Sequence, residues 1–137
     1  MKIVLLGEPR GKGRPRFAPQ TGRAYTDADT RNYESKLAWA AQVKMGGAPP
    51  LLGALRVTVS AFVSIPKSFS AKKQAAAIEG NIRPTTKPDA DNIAKMLDAL
   101  NKIVWNDDSQ IVRLVIEKFY SEQPRLEIQI DILTDCF

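Results

Sequence analysis

Apolar and polar residues alternate most regularly along residues 54–65, where apolar side chains occupy the odd-numbered positions. A period of two places alternate side chains on opposite faces of a strand, so this segment predicts a half-buried β-strand that ends before Pro66. Similar but shorter segments predict three more strands, at residues 2–6, 111–120 and 125–133. Because only residues 121–124 separate the last two strands, the spacing predicts that they form a hairpin.

Between these strands the apolar positions follow a helical period. A first helix is predicted to begin after Asp27 or Asp29, which are typical capping residues, and to run to about Lys44. Its apolar positions, expected to face inward, are Leu37, Ala40, Ala41 and Val43. Trp39 is also expected in the core, as a large aromatic residue on the same helix.

Two further helices complete the prediction. The first is predicted to begin at a Ser68 or Ser70 cap and to run through Glu79, and the second covers residues 90–104. Residues 7–26 are rich in Gly, Pro, Arg and Thr and predict a loop. The order β-α-β-α-α-β-β predicts an α+β fold, with a small mixed, partly antiparallel sheet and helices packed on it. A chain of 137 residues predicts a single domain over residues 1–137.

The composition excludes several kinds of chemistry. The chain has no histidine, which excludes histidine general bases, histidine triads and histidine–metal sites. Cys136 is the sole cysteine, so no intrachain disulfide can form, and we expect this thiol to be inert. No apolar run is long enough to span a bilayer. These features predict a protein without a membrane anchor that is located in the cytoplasm.

The net charge of +5 is concentrated near the start of the chain. Residues 1–23 carry six basic side chains and one acidic side chain, Glu8, whereas the remaining residues balance fourteen of each sign. A local basic segment suits the phosphate backbone of a nucleic acid, although a solvated loop has the same composition. Within it, Lys12, Arg14 and Arg16 lie in a Gly/Pro-rich stretch and are predicted to contact phosphates.

The candidate catalytic stretch holds five aspartates within residues 89–108. On a helix, Asp91, Lys95 and Asp98 lie within about 60° of one another, opposite the apolar positions. Asp89 lies at the entrance of this helix, and the Asp107–Asp108 pair precedes the next strand. Magnesium prefers carboxylate and water oxygens, so converging aspartates predict a Mg²⁺ site that activates a water for attack on phosphorus. A nearby lysine would stabilise the negative charge that develops.

Ordinary structural roles could also explain each of these residues. Asp91 and Lys95 are spaced for a surface ion pair worth about 0.3–0.5 kcal/mol. Asp89 has the position of a helix cap, and residues 107–109 have the composition of a turn. Two observations favour the metal site: the crowding of like charges, which repel without a cation, and the basic segment elsewhere in the chain.

The sequence from Lys87 to Gln110 resembles the RusA-type Holliday junction resolvases. The match is Lys-Pro-Asp-x-Asp-Asn-x-x-Lys-x-x-Asp-Ala-Leu over residues 87–100, followed by Trp-x-Asp-Asp-x-Gln over residues 105–110. The segment Gly-Lys-Gly-Arg-Pro-Arg-Phe at residues 11–17, with Tyr25 and Thr26 downstream, also resembles the opening of family members. Together with the order of elements, the resemblance covers most of the chain.

The resemblance implies a Mg²⁺-dependent endonuclease, with Mn²⁺ as a possible substitute, that acts as a homodimer on four-way DNA junctions. It implies metal ligands at Asp89, Asp91 and Asp108 and an essential lysine at Lys95, all catalytic. Asp98 and Asp107 are then expected to have supporting roles. The activity implied is paired phosphodiester hydrolysis in DNA recombination and repair.

Two other functions are compatible with the same residues. One is a non-catalytic protein that binds branched DNA and whose acidic cluster is structural. The other is a Mg²⁺-dependent nuclease for other branched DNA or for RNA. In any of these, Phe17 or Tyr25 is a candidate to stack on unpaired bases, although aromatic residues more often serve in packing. Trp105 is expected to pack near the site and support the Asp107–Asp108 pair.

Overall fold

The computed structural model describes residues 1–13, 16–25 and 27–134, with the side chain of Arg16 excepted. The strands are β1 (Lys2–Leu6), β2 (Arg16–Phe17), β3 (Ala24–Tyr25), β4 (Leu55–Ser64), β5 (Ile111–Ser121) and β6 (Arg125–Ile132). The helices are α1 (Ala28–Met45), α2 (Ala71–Ile78) and α3 (Ala90–Met96), with 3₁₀ turns at Leu97–Leu100 and Asp108–Gln110. Cys136, which we expect to be inert, lies outside the described residues.

The main sheet has four strands in the order β1-β6-β4-β5. Strand β4 pairs parallel with β5 and antiparallel with β6, and β1 pairs antiparallel with β6. The predicted α+β fold with a mixed, partly antiparallel sheet is therefore confirmed. The segment predicted as a loop adds a small two-stranded sheet, β2 with β3.

The predicted hairpin between the last two strands is wrong. Strands β5 and β6 do not pair, because β4 lies between them and residues 122–124 carry the chain across its end. The burial pattern gives the physical reason: Leu55, Val57 and Val59 of β4 are fully buried, which suits a central strand. Val112 of β5 remains 62% exposed, as fits an edge strand.

The core lies on one face of this sheet, beneath α1 and α3. Buried side chains of β4 and β6, such as Val57, Val59 and Ile128, pack with Leu37 of α1 and Ile93 of α3. The opposite face carries the intervening polar residues, with ion pairs between neighbouring strands and one within β6. Helices α1 and α3 thus occupy one side of the sheet, and α3 lies against it with one face buried and the other open.

The boundaries of α1 agree with its sequence signals. Asp27 caps the helix by accepting a hydrogen bond from the Thr30 amide at 2.8 Å. The helix ends at Gly46, which adopts a left-handed conformation with φ 56°. The predicted cap of α2 is confirmed at Ser70.

The expectation that Trp39 and Val43 face the core is wrong. They are 68% and 64% exposed, respectively, whereas Leu37 and Ala41 are fully buried. Residues 37 and 41 are one helical turn apart and define the inward stripe, so residues 39 and 43 point about 200° away from it.

The predicted helix over residues 90–104 is shorter than expected. Regular helix ends at Met96, and one 3₁₀ turn continues it to Leu100. The chain then bends at Lys102, which has φ 70°, and the indole nitrogen of the fully buried Trp105 donates to Asn101 Oδ1 at 2.7 Å. The bend allows the Trp105 side chain to enter the core. None of the described helices is both long and apolar enough to cross a membrane.

Lys2, Arg125 and Glu127 form a charged cluster on the sheet face opposite the core. This cluster predicts how the stability of the protein depends on pH. Lys2, with a further contribution from Arg125, holds the pKa of the Glu127 carboxyl below its ordinary value of 4.5. A carboxyl whose pKa falls on folding stabilises the native state above its unfolded pKa, and this contribution is lost as the pH falls through the folded pKa. We expect Glu127→Gln to reduce the loss of unfolding free energy between pH 6 and pH 3, measured by urea denaturation. The exposed Glu122→Gln should retain the wild-type loss, and equal losses in the two variants would contradict the assignment.

Candidate active site

Asp89 lies at the entrance of α3 with its carboxylate available. It occupies the cap position, in extended backbone, yet its side chain makes no capping hydrogen bond. The carboxylate lines a cleft of about 390 Å³ together with Lys87 and Asn92 on one side and Arg10 and Gly11 on the other. Asp89 therefore has the position of a cap without the function of one.

The segment that contains Gly11 and Lys12 packs closely on α3. The backbone amide of Lys12 donates to the Asn92 carbonyl at 2.8 Å. A Cβ atom at Gly11 would lie 2.7 Å from the Cβ of Asn92, which is closer than two such atoms approach in proteins. Glycine is thus required at position 11 for the backbone to reach α3, and this contact forms one wall of the cleft.

A second cleft, of about 330 Å³, lies further along α3 and contains Lys95, Asp98 and Asp108. The side chains of Leu97, Ile111 and Leu114 form part of its wall. The Asp98 and Asp108 side chains both line this cleft. Desolvation raises the pKa of Asp108, and the nearby Asp98, together with Asp107, raises it further. Two carboxyls this close repel when both are ionised, so a proton or a cation stabilises the pair.

The two members of the Asp107–Asp108 pair have different environments. The Ser109 hydroxyl donates to the Asp107 carboxylate, and this hydrogen bond lowers the pKa of Asp107. The Gln110 side chain accepts from the Asp107 amide and donates to the Leu51 carbonyl, which fixes the turn. The turn interpretation thus applies to Asp107, whereas Asp108 extends toward Asp98.

Asp91 and Lys95 lie one turn apart on the open face of α3, and both are exposed. The Lys95 ammonium is 3.4 Å from Asn92 Oδ1. In the part of the chain that the structure describes, Asp91 and Lys95 do not form an ion pair. Their spacing therefore does not produce the ordinary surface ion pair that was the alternative explanation.

The structure brings together only some of the residues proposed from sequence. Asp108 and Lys95 both line the second cleft, whereas Asp89 lines the first. Over residues 1–13, 16–25 and 27–134, no three acidic side chains lie close enough to form a metal site on their own. Asp98 has a larger part than expected, since it lines the second cleft with Asp108 and its charge raises the pKa of Asp108. The sequence signal for this role was the position of Asp98 on the same helical face as Asp91 and Lys95.

Part of the basic segment lies within the described residues. Lys12 lies in ion pairs with Glu34 at 3.5 Å and Asp98 at 3.9 Å. Arg14 and the side chain of Arg16 lie outside the described residues. Phe17 and Tyr25, on β2 and β3, are exposed aromatic residues next to this segment. Their stacking on bases stays a prediction.

Comparison with known proteins adds independent information. The family model for endodeoxyribonuclease RusA matches residues 7–131, which include both clefts. The chain belongs to the RusA family. It is also 38% identical over 135 residues, covering 95% of this chain and 94% of the relative, to the uncharacterized protein YqaN of Bacillus subtilis (strain 168). The RusA match identifies a family of Holliday junction endonucleases, and the YqaN name states no activity.

The close packing of Gly11 on α3 can be tested with a pair of glycine variants. We expect Gly11→Ala to destabilise the fold by about 1–3 kcal/mol, the usual range for overpacking, because its Cβ would overlap the Asn92 side chain. Gly13→Ala is the matched control, since a Cβ there meets nothing within 4 Å. Thermal unfolding of both variants is the measurement, and a Gly11→Ala melting temperature equal to that of Gly13→Ala would refute the contact.

Proposed function

We propose that this RusA-family protein is a Mg²⁺-dependent, structure-selective endonuclease that resolves four-way DNA junctions in recombination and repair. The observation that carries the proposal is the RusA match over residues 7–131, the part of the chain that contains the acid–lysine face of α3. We also propose that it acts as a homodimer in the cytoplasm. A two-fold dimer offers one site to each of the two strands that must be cut.

The donor set fits magnesium chemically. Mg²⁺ is commonly held by one or two carboxylates, and waters and substrate phosphates complete its coordination. A trio of acids already in contact is therefore not required. We assign Asp89, Asp91 and Asp108 as the residues that would hold Mg²⁺, with Mn²⁺ as a substitute. Once bound, the metal would supply an activated water and neutralise charge on the phosphate.

The remaining residues act on the DNA strand itself. Lys95 lies in the same cleft as Asp108, and we propose that its ammonium stabilises the negative charge that develops on the phosphate oxygens. Arg14 and Arg16 are proposed to contact the DNA backbone, as is Lys12, whose carboxylate partners give it a second role considered below. The open face of α3 is the proposed path of the scissile strand.

Cleavage of a synthetic four-way junction tests the catalytic assignment. We expect Asp91→Asn to bind the junction with wild-type affinity but to cleave it at least about a hundredfold more slowly, the scale of a lost electrostatic contribution. Asp131→Asn is the control, because Asp131 pairs with Arg56 on the sheet face opposite the core. Cleavage by Asp91→Asn at the wild-type rate in Mg²⁺ would show that this residue is not a ligand.

One observation favours a second candidate, a non-catalytic protein that binds branched DNA. Lys12, Glu34 and Asp98 already form ion pairs within the protein, as a structural acidic cluster would. Incubation of wild-type protein and junction with Mg²⁺ or with EDTA separates the two candidates. Cleavage that depends on Mg²⁺ supports the endonuclease, whereas binding without cleavage in either condition supports the second candidate. Competition among junction, flap, duplex and RNA then identifies the preferred substrate.

A further inference from the structure

Lys12 has surroundings unlike those of a side chain used only to attract phosphate. Its side chain is 26% exposed, and its ammonium lies 3.5 Å from Glu34 Oε1 and 3.9 Å from Asp98 Oδ2. Glu34 is itself 23% exposed, on α1. A lysine that only neutralises DNA is expected to extend into solvent, as long basic side chains usually do. Here the ammonium lies between carboxylates from two different elements.

The backbone of Lys12 is fixed as well as its side chain. Its amide donates to the Asn92 carbonyl on α3, and the preceding Gly11 packs against Asn92. Both ends of the residue are therefore held, and the ammonium is directed toward the 3₁₀ turn that follows α3. Lys12 connects the N-terminal segment, α1 and this turn at a single point.

Asp98 carries this connection into the proposed site. One Asp98 oxygen lies 3.9 Å from the Lys12 ammonium, and Asp98 lines the second cleft together with Asp108. Ion pairs therefore join Glu34, Lys12 and Asp98, and Asp98 lies in the same cleft as Asp108. Without Lys12, Asp98 would face Asp108 with no cation on its other side, and the two like charges would separate.

We infer that Lys12 is a positioning residue, which holds Asp98 and through it sets the place of the Asp108 carboxylate. This inference rests on the proposed function, because it concerns the same site. A positioning role and a phosphate contact by Lys12 affect different measurable quantities. Positioning acts on metal affinity and on the rate of the bound complex, whereas a phosphate contact acts on DNA affinity and its salt dependence.

The test compares Lys12→Met with Lys12→Arg, and uses Lys44→Met, at an exposed lysine near the end of α1, as the control. Three quantities are measured: Mn²⁺ affinity by calorimetry without DNA, junction affinity at several salt concentrations in EDTA, and the single-turnover cleavage rate at saturating junction. We expect Lys12→Met to weaken Mn²⁺ binding and slow cleavage by about 10–100-fold, the usual effect of losing a group that orients a ligand. Lys12→Arg, which keeps the charge, should recover part of both, and Lys44→Met should resemble wild type.

Asp98→Asn independently tests whether Lys12 acts on Asp108 through Asp98. If Lys12 acts through Asp98, the double variant should lose little more than the stronger single variant, since residues in one network are not additive. Glu34→Gln, which leaves the site side chains unchanged, should produce a smaller defect of the same kind. These variants keep the inference testable if Lys12→Met does not fold.

Each result has a definite meaning. Unchanged Mn²⁺ affinity and cleavage in Lys12→Met, together with weaker junction binding and a salt slope lower by about one, would make Lys12 a phosphate contact and overturn the inference. A wild-type protein that cleaves no junction would instead overturn the proposed function. In that case Mn²⁺ binding alone decides the inference: weaker binding in Lys12→Met upholds it, and equal binding refutes it.

Discussion

The burial of Trp105 determines the path of the chain through the site. Its side chain is fully buried, and its indole nitrogen donates a hydrogen bond to Asn101 Oδ1. This hydrogen bond joins the two ends of the bend that follows Leu100. The backbone just before Trp105 is fixed too, because the Leu51 amide donates to the Val104 carbonyl at 2.7 Å. The next residues, 106–108, must therefore return beside α3. The meeting of Asp98 with Asp108 depends on this return, as does the start of β5.

The fold was predictable wherever the signal was local. Asp27 and Gly46 mark the ends of α1 through their own backbone and side-chain chemistry, and the alternation along β4 identifies a strand without reference to its neighbours. Pairing was not predictable in the same way, because alternation specifies which side chains share a face but not which strand lies alongside. The short 121–124 connection suggested a hairpin, and only the insertion of β4 between β5 and β6 shows otherwise.

The same distinction applies to the candidate site. The helical period placed Asp91, Lys95 and Asp98 on one face. The open side of α3 carries the first two, and the exposed Asp98 follows in the 3₁₀ turn. Which acidic residue Asp108 meets depends on the bend at Lys102. The sequence pattern did not indicate this bend, because it predicted helix as far as residue 104. The carboxylate partners of Lys12 lie 22 and 86 residues away along the chain, so no local pattern could indicate them.

The insertion of β4 between β5 and β6 also has a consequence for the order in which the protein assembles. Among the described residues, strand β1 pairs within the sheet only with β6, and β6 is the last strand described. Until residues 125–132 have been synthesised, β1 has no partner in the sheet, and β4 has a partner on one edge only. Long-range pairing of this kind closes large loops and slows folding. The residues of the site all precede β6, so each new chain carries them before the sheet that supports them can close.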